Sequence, residues 1–416
     1  INSGGTGSII KYLTIKSIEN FTGPNADNFA DLSGVFLNGT SNCTINENSF
    51  LNTAEGIYLD GGSNNKIQNN TITNIFAYGI SLSNTLNNTI NGNVITTLPS
   101  AANNTCTGIF IGFSRYNLIN RNIITNNQFG IYPYGSNNNI ITENIIKNNS
   151  NYGIYLYNSS ATINFNIISG NGIAGLNNQD NGTVNATNNW WGTNTPTILL
   201  NIPSDIHIVS GTVRYDPWLV LNLNCSSIGV THDNYTSDLT VDLTHNNLGV
   251  DTSSIGRVPD GIVINFITTL GTINATTVTT DGLALVTLNS SVTSGLANVT
   301  ATLDNQTVSV VPRVFSTIQA AINDNSTYNG DSIEIEDGTY TENIVLNKEV
   351  TLVPVNKGTV IVEPLDPSKP VIKVTSGGSG SLIQDLNING VNSAYAIFVD
   401  SAHNCSIIGD NITGSQ

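Results

Sequence analysis

The sequence has no methionine, few cysteines and few charged side chains. Only 10% of its 416 residues are charged, and 29 acidic residues outnumber 13 basic ones, for a net charge of −16. Such a chain is not expected to bind nucleic acid or an anionic bilayer, because both attract basic surfaces. The cysteines lie at scattered positions that indicate no disulfide pairing: Cys43, Cys106, Cys225 and Cys405.

Long apolar stretches are also absent. No segment reaches the roughly 18 residues expected of a membrane span, and the N-terminus lacks the features of a signal peptide. The sequence therefore predicts no direct membrane insertion. Because no initiator methionine is present, we expect Ile1 to be a processed or trimmed start.

What the chain does contain is a repeat of about 22 residues over positions 34–191, a period typical of stacked units that bury their apolar faces only against one another. The clearest copies begin at Gly56, Gly79, Gly108, Gly130 and Gly153. Within each copy, apolar and polar residues alternate over short runs, and no window has a helix-length pattern. Each copy is therefore predicted to be one coil of a right-handed parallel β-helix covering residues 1–218.

Asparagine recurs at fixed positions of the repeat. Aligning the copies on their second strand places six asparagines in one column: Asn48, Asn70, Asn93, Asn122, Asn144 and Asn166. A second column contains Cys43, Asn65, Asn88, Asn117, Asn139 and Ala161. Asparagine tolerates a left-handed backbone at bends, and identical amides on successive strands bond to one another. We expect the first column to be a structural ladder of amides, and Cys43 to be a small buried side chain.

Two features interrupt or end the repeat. The copy between Gly79 and Gly108 is longer than the others, and its excess at 98–107 is predicted to form a loop at one corner. The segments 188–192 (Asn-Asn-Trp-Trp-Gly) and 213–219 (Val-Arg-Tyr-Asp-Pro-Trp-Leu) follow the last copy. Their large aromatic side chains are expected to cover the last coil, whose strand edges would otherwise be unpaired.

After residue 218 the asparagine columns stop. Residues 219–312 contain short strands rich in Thr, Val and Leu, separated by Gly and Asp turns, which is typical of a β-sandwich. The segments 258–266, 279–288 and 297–303 resemble the bacterial immunoglobulin-like domains of invasin-type surface proteins. This resemblance implies an immunoglobulin-like β-sandwich.

A second parallel β-helix is predicted over residues 313–416. Residues 315–322 have an amphipathic helix pattern with Ser316 or Thr317 as N-cap. The segments after it resemble the capping helix and first coils of pectate-lyase-like β-helices. Residues 376–388 match residues 3–15, and residues 404–407 match 42–45, with an insertion at 20–32 in the first copy. We expect either a window of a longer tandem array or a subunit whose open ends stack on neighbours.

The sequence offers no grouping of residues for catalysis. Lyases and glycosidases with this fold need clustered carboxylates, whereas the acids of the repeat are scattered: Glu47, Glu55, Asp60, Glu143 and Asp180. Arg115 and Arg121 share a coil and are interpreted as solvent-exposed residues without an acidic partner. The histidines fall in different segments, so no metal site, cofactor or catalytic residue is predicted. A polysaccharide lyase or epimerase is the remaining enzymatic alternative.

Strand alternation predicts one distinctive surface. If Ile109, Ile131 and Ile154 point into the tube, the residues after them point outwards. The candidate aromatic face consists of Phe110, Tyr132, Tyr134, Tyr155 and Tyr157. Because coils stack about 4.8 Å apart, these rings would form a ladder suited to stacking on sugars or packing against another protein. The alternative is that the rings stack on one another or are covered by the loop at 98–107.

The combined pattern resembles the adhesin-like cell-surface proteins of methanogenic archaea over nearly the whole chain. The resemblance implies an extracellular glycoprotein at the cell surface or in the cell wall. Its candidate glycosylation sites are the sequon residues Asn38, Asn69, Asn87, Asn103, Asn181, Asn234 and Asn298. The leading hypothesis is a non-enzymatic rod that assembles with itself, end to end or in tandem, into a surface fibre or wall layer. The alternative is an adhesin that binds surface glycans through the aromatic face.

Overall fold

Strands from successive repeats lie side by side in the first part of the chain. The computed structural model describes residues 1, 3–16, 33–96, 106–180, 182–199, 204–225, 228–230, 235–290 and 295–414. Successive repeats add parallel strands to three sheets, so each repeat forms one coil. The parallel β-helix predicted from the sequence is confirmed. The insertion at 20–32 lies outside the described residues, as does all of the loop at 98–107 except Cys106 and Thr107.

Three sheets line these coils, and we call them sheets 1 to 3. Sheet 1 contains the strands Ile9–Lys11, Thr44–Asn46, Lys66–Gln68, Thr89–Asn91, Leu118–Asn120, Asn139–Thr142, Ala161–Asn164, Thr183–Asn185 and Thr212–Arg214. Sheet 2 contains Thr14–Lys16, Ser49–Leu51, Thr71–Thr73, Val94–Thr96, Ile123–Thr125, Ile145–Lys147 and Ile167–Ser169. Sheet 3 contains Ser33–Asn38, Glu55–Asp60, Tyr78–Ser83, Thr107–Gly112, Phe129–Tyr134, Tyr152–Leu156, Ala174–Asn178, Ile198–Leu199 and Ser204–Ile208.

Columns of branched aliphatic side chains fill the tube. Ile67, Ile90 and Ile119 are register partners on neighbouring coils of sheet 1, and all three are completely buried. Similar columns come from the other two sheets and join them in one apolar core. Burying a side chain of this size contributes about 1.5–3 kcal/mol, so the stacking of coils is the main source of stability.

Each coil also needs room at the start of its sheet 3 strand. A Cβ atom added to Gly108 would lie 2.4 Å from Cγ2 of Ile124 and 2.7 Å from the carbonyl oxygen of Gly130. The same short approach to the next coil's carbonyl occurs at each glycine that begins a clear copy: Gly56, Gly79, Gly108, Gly130 and Gly153. The repeated glycine is therefore required by close packing between coils, although its backbone is not left-handed.

The coils turn at left-handed corners. Over residues 63–84, which make one full turn of the tube, the residues with positive φ are Asn64, Asn69, Asn74 and Asn84, all with φ of 55–56°. These four corners separate the short strands of the three sheets. Asparagine adopts this backbone region more readily than most residues, which explains why it is so frequent in the repeat.

A single file of buried amides runs along the tube between sheets 1 and 2. Each Nδ2 donates to Oδ1 of the next asparagine at 2.9–3.0 Å, through Asn48, Asn70, Asn93, Asn122, Asn144, Asn166 and Asn189. Asn189 extends the column predicted from the sequence by one coil. Within it, Asn122 Nδ2 also donates to the carbonyls of Ile90 and Asn120. The amides satisfy buried backbone groups at this corner that would otherwise lack partners.

Two antiparallel sheets follow the first tube. Sheet 4 contains Asn222–Cys225, Tyr235–Asp242, Leu283–Ser290 and Thr272–Ile273, and sheet 5 contains Thr276–Val278, Val263–Thr268, Val299–Leu303 and Gln306–Val310. The sheets share one apolar core that includes Leu239, Val241, Phe266 and Val299. This arrangement matches the predicted sandwich, and its immunoglobulin-like relationship stays a prediction.

The sandwich packs against the last coils of the first tube. Trp190 and Trp191 are both buried, but Trp191 belongs to the core of the tube whereas Trp190 belongs to the core of the sandwich. The two tryptophans therefore join the units instead of covering the last coil together. Tyr215 and Trp218, which are partly buried and pack against the tube core, provide the expected aromatic cover.

The second tube includes two strands from within residues 219–312, the segment that the sequence assigned to the sandwich. Sheet 6 contains Gly295–Leu296, Arg313–Phe315, Ile228–Val230, Asp331–Ile335, Val350–Pro354, Leu382–Gln384 and Ser406–Ile408. Sheet 7 contains Gly338–Thr341, Val360–Glu363, Asn387–Asn389 and Asn411–Thr413, and sheet 8 contains Ile344–Leu346, Ile372–Val374 and Ile397–Val399. Ile228–Val230 pairs in parallel with Arg313–Phe315 and Asp331–Ile335, and Gly295–Leu296 pairs antiparallel with Arg313–Phe315.

A short helix, Ile318–Asn323, covers the start of the second tube. Thr317 is its N-cap, and the Thr317 hydroxyl accepts a hydrogen bond from the amide of Ala320 at 3.0 Å. The Glu342 carboxylate accepts the amides of Ile318 and Gln319, both at 2.8 Å. The predicted helix is present, and it begins three residues later than the pattern indicates.

Candidate functional site

The rings of the candidate aromatic face all lie on the outer side of sheet 3. Phe110 is the register partner of Tyr132, and Gly112 is the partner of Tyr134. Tyr134 in turn bridges to Tyr157 on the next coil. The isoleucines between them, Ile109, Ile131 and Ile154, are completely buried in the tube. The structure thus brings together all five rings that strand alternation selects: Phe110, Tyr132, Tyr134, Tyr155 and Tyr157.

Tyr132 lies at the centre of this face. Its ring centroid is 4.9 Å from that of Tyr155 and 5.6 Å from that of Phe110, with interplanar angles of 82° in both cases. Tyr134 and Tyr157 instead stack almost in parallel, 5.4 Å apart at 3°. Edge-to-face and offset stacked pairs are the favoured arrangements of aromatic rings. The rings therefore pack on one another, which is one of the alternatives that the sequence left open.

Three further rings enlarge the aromatic face: Tyr78, Phe129 and Tyr152. Each lies one residue before the repeated glycine, and together they form a first column beside the middle column of Phe110, Tyr132 and Tyr155. Tyr78 lies 4.9 Å from Phe110, and Phe129 stacks on Tyr152 at 5.9 Å. Phe129 also lies 5.5 Å from Tyr132, so both columns form one surface. Strict alternation misses this column, because the glycine and the isoleucine that follow it both pack inwards.

Two glycines make room for rings on this surface. A Cβ atom at Gly112 would lie 2.8 Å from the Phe110 ring, and one at Gly135 would lie 2.8 Å from the ring of Phe113. Phe113 is exposed and meets Tyr134 edge on, with the centroids 5.3 Å apart. The face therefore extends to the corner at the end of the Thr107–Gly112 strand.

The rings keep accessible edges and protonated hydroxyl groups. Tyr157 is 42% exposed, and Tyr132, Tyr134 and Tyr155 are partly buried. Burial, reinforced by the neighbouring tyrosines, raises the pKa of Tyr132 to about 12. The pKa of Tyr155 is raised for the same reasons. At neutral pH these hydroxyls are uncharged and can both donate and accept hydrogen bonds.

A second ring pair, with two carboxyl groups beside it, lies at one end of sheet 3. Phe36 and Tyr58 stack at 4.9 Å with an interplanar angle of 7°. Glu55, only 3% exposed, accepts a 3.2 Å hydrogen bond from Ser33, and burial raises its pKa to about 7. Asp60 is the outermost acid of the same strand and is partly exposed. At the other end, Asn177 Nδ2 lies 2.7 Å from Nδ1 of His207.

The remaining predicted residues occupy separate places. Four glycosylation candidates, Asn38, Asn69, Asn87 and Asn298, are exposed. The other three, Asn103, Asn181 and Asn234, lie outside the described residues. Within the described residues no helix has both the length and the apolar character needed to cross a bilayer. Nor does that part of the chain bring together three His, Cys, Asp or Glu side chains in a way that could hold a metal ion.

One interpretation of the arginines was wrong. Arg121, although 61% exposed, donates from Nε to Oε2 of Glu143 at 2.7 Å. The two residues are corner residues with positive φ on neighbouring coils, so the acid lies at the matching position of the next repeat. Ion pairs this exposed contribute little to stability, and this one forms no part of the aromatic face.

Comparison with known proteins identifies the coils. Residues 33–191 match the family described as "Right handed beta helix region", and these coils are therefore a right-handed β-helix. No curated protein matches the chain.

Among solved structures, a periplasmic alginate epimerase is 17% identical with a TM-score of 0.31, over 44% of this chain and 54% of that protein. The mannuronan C-5 epimerase A-module of Azotobacter vinelandii is 10% identical with a TM-score of 0.28, over 99% and 88%. The Dettilon tailspike protein is 13% identical with a TM-score of 0.25, over 76% and 86%. The alignment with the periplasmic epimerase thus spans about half of that protein's length.

Proposed function

We propose that this right-handed β-helix protein is a non-enzymatic, extracellular surface protein that binds carbohydrate through its aromatic face. The observation that carries the proposal is the continuity of the rings. Tyr78, Phe110, Tyr132 and Tyr155 come from four successive coils, and each ring lies within 6 Å of the next. Sugars offer apolar C–H faces and many hydroxyl groups, and tyrosine matches both with a flat ring and a hydroxyl tip.

The location at the cell surface rests on the resemblance to adhesin-like proteins and on the composition of the chain. No reaction is assigned to the face, because its centre consists of rings and its two carboxyl groups lie at one end, beside Phe36 and Tyr58. Incubation with a broad panel of polysaccharides tests this part. Unsaturated, epimerised or shortened sugars among the products would contradict a non-enzymatic role.

Binding to a glycan array tests the carbohydrate proposal directly. Tyr132→Ala or Tyr155→Ala is expected to weaken binding at least about tenfold, which corresponds to about 1.4 kcal/mol. Tyr395→Ala is the matched control, since Tyr395 is an exposed tyrosine that stacks on Phe398 in the second tube. Equal loss in all three variants, or unchanged binding in the first two, would contradict the proposal. Circular dichroism of each variant would show whether the rod stays folded.

A structural role as a self-assembling rod is the second candidate, and the internal repetition of coils favours it. The amide of Leu13 donates to Oδ1 of Asn48 at 3.0 Å, and the amide of Leu386 donates to Oδ1 of Asp410 at 2.8 Å. The two bonds occupy equivalent places in the two matching segments. Repeated modules of this kind suit a tandem array or copies that stack end to end. Electron microscopy of native material should then show filaments with a regular axial repeat, whereas short isolated particles would contradict assembly.

A further inference from the structure

The charges and the dimensions of the aromatic face restrict the ligand it can take. From them we infer that the face binds a linear, uncharged polysaccharide that lies along the axis of the rod and crosses several coils. This inference rests on the proposed function, because it specifies the ligand of the same surface. Its two parts, charge and direction, depend on different observations and can be tested separately.

The described strands of sheet 3 present neither lysine nor arginine to a ligand. The acids near the rings lie on one strand beside Tyr58: Asp60 is partly exposed, and Glu55 is buried with its pKa raised. A polysaccharide of uronic acids would bring a carboxylate with every sugar, and nothing on these strands would neutralise it. Placing a carboxylate against these rings without a counter-ion costs desolvation energy, so the face disfavours polyanions.

The hydroxyl groups also suit an uncharged partner. Burial and neighbouring rings hold the pKa values of Tyr132 and Tyr155 above the usual tyrosine range. Both hydroxyls therefore remain neutral donors and acceptors under physiological conditions. Neutral hydroxyl groups match sugar hydroxyls, and such pairs are insensitive to salt because no net charge is involved.

The order of the rings along the tube indicates the direction of the ligand. In the middle column, Phe110, Tyr132 and Tyr155 follow one another on neighbouring coils. With Tyr78 the rings cover four coils, which at about 4.8 Å per coil is a track of about 14 Å along the axis. In the middle column the buried Ser81, on the same coil as Tyr78, precedes Phe110, and the buried Asn177 follows Tyr155. The rings thus form a strip along the axis of the tube.

A strip of this length is longer than one sugar ring. Each further sugar that reaches another coil gains contact with another aromatic side chain. Affinity should therefore rise with chain length over the first few sugar units and then level off. A ligand that crossed the strip at a right angle would meet the rings of a single coil and would gain little from added length.

Titration calorimetry with matched oligosaccharides tests both parts on the full chain. The probes are hexose oligomers of β-mannan, cellulose and galactan, each paired with its uronic acid counterpart, polymannuronate, polyglucuronate and polygalacturonate, at equal length. At least one hexose series is expected to bind, with affinity rising at least tenfold from one to four units. Its uronate partner should bind at least tenfold more weakly. Raising the salt concentration from about 50 to about 500 mM, which removes most screening-sensitive interactions, should leave hexose binding unchanged.

Tyr157→Ala identifies the surface that the ligand uses. Tyr157 is exposed at the edge of the face, and its ring contact is with Tyr134. Removing the Tyr157 ring therefore leaves the packing around Tyr132 in place. Hexose binding should fall severalfold in this variant and stay unchanged in Tyr395→Ala. Uronate binding that equals hexose binding and depends on Tyr157 would overturn the charge inference and leave the proposed function standing. Affinity that is already complete with a monosaccharide would overturn the axial direction. Binding of neither series would overturn the proposed function together with this inference.

Discussion

The indole Nε1 of Trp190 donates a 2.7 Å hydrogen bond to Oδ2 of Asp304, and this contact joins the first β-helix to the sandwich. Lys147, two coils before Trp190, forms an ion pair with the same carboxylate. The Asp304 side chain is only 8% exposed, whereas that of Asp281, in the ion pair Arg257–Asp281, is 59% exposed. The two acids share a left-handed backbone with φ of 53° and 55° and are therefore a matched pair for mutation.

Asp304→Asn should destabilise the contact between the first β-helix and the sandwich, and Asp281→Asn should not. Asparagine tolerates the left-handed backbone in both places, so the comparison isolates the carboxylate. Loss of the buried charge leaves Lys147 unpaired, which is expected to cost about 1–3 kcal/mol. The exposed pair is expected to change stability by less than about 1 kcal/mol. Urea unfolding curves of both variants measure these differences, and an equal effect would show that this contact does not depend on Asp304.

Replacing a buried asparagine of the file by aspartate should cost much more stability than the same change at an exposed asparagine. Asn122 Nδ2 donates to three oxygens, those of Ile90, Asn120 and Asn144. In Asn122→Asp an oxygen replaces this donor and faces the same acceptors, so we expect a loss of about 3 kcal/mol or more at neutral pH. Asn138→Asp is the control, because Asn138 is an exposed corner residue with φ of 59°.

Asp410 provides a natural precedent for that substitution. It occupies the place equivalent to Asn48, its Oδ2 is buried without a hydrogen-bond partner, and burial raises its pKa. Thermal unfolding of Asn122→Asp at several pH values should show partial recovery at low pH, where the new carboxyl is protonated. A variant as stable as the control at neutral pH would contradict the structural role of the file.

The raised pKa of Glu55 should make the stability of the protein depend on pH. Its folded pKa of about 7 exceeds the ordinary value of 4.5 because the carboxyl is buried. The folded protein therefore holds this proton more tightly than the unfolded chain does. The stability that the proton contributes is fully present below pH 4.5 and is lost as the pH rises towards 7, by up to about 3 kcal/mol.

Glu55→Gln should remove that dependence, because glutamine keeps the shape of the side chain without a titratable group. The variant is expected to be more stable than the natural protein at pH 8 and similar to it at pH 4.5. Urea midpoints measured at the two pH values give the comparison. The same slope in both proteins between pH 4.5 and 7 would show that Glu55 is ionised in the folded state.

Gly108→Ala should disturb the stacking of coils. The added methyl group would meet the backbone oxygen of Gly130 and the side chain of Ile124 at the distances given above. Overpacking of this kind costs about 1–3 kcal/mol. Gly4→Ala is the control, since a Cβ atom there has no neighbour within 4 Å. Differential scanning calorimetry should show a lower melting temperature for the first variant alone.

The sequence predicts the features of this fold that repeat. A fixed period makes equivalent residues lie over one another, so the columns of Asn70 and Ile80 and the ring ladder of Tyr132 follow from alignment of the copies. Contacts between distant units carry no such signal. The burial of Trp190 in the sandwich and the pairing of the Ile228–Val230 strand with sheet 6 depend on tertiary packing that a local pattern does not specify.

Within a single coil, too, the sequence pattern predicts only part of the aromatic face. Strand alternation identifies Tyr132 correctly but places Phe129 inside the tube, because it assumes an unbroken period of two. Gly130 interrupts that period by packing inwards beside Ile131. The missing ring column could have been found by asking why the residue before each glycine is often aromatic, as at Tyr78, Phe129 and Tyr152.

The decisive experiment is a structure of the protein in complex with the tightest-binding neutral oligosaccharide. We expect the sugar chain to lie along the axis on sheet 3, with successive sugar rings against Phe110, Tyr132 and Tyr155. A sugar bound elsewhere on the protein, with these rings uncovered, would contradict it.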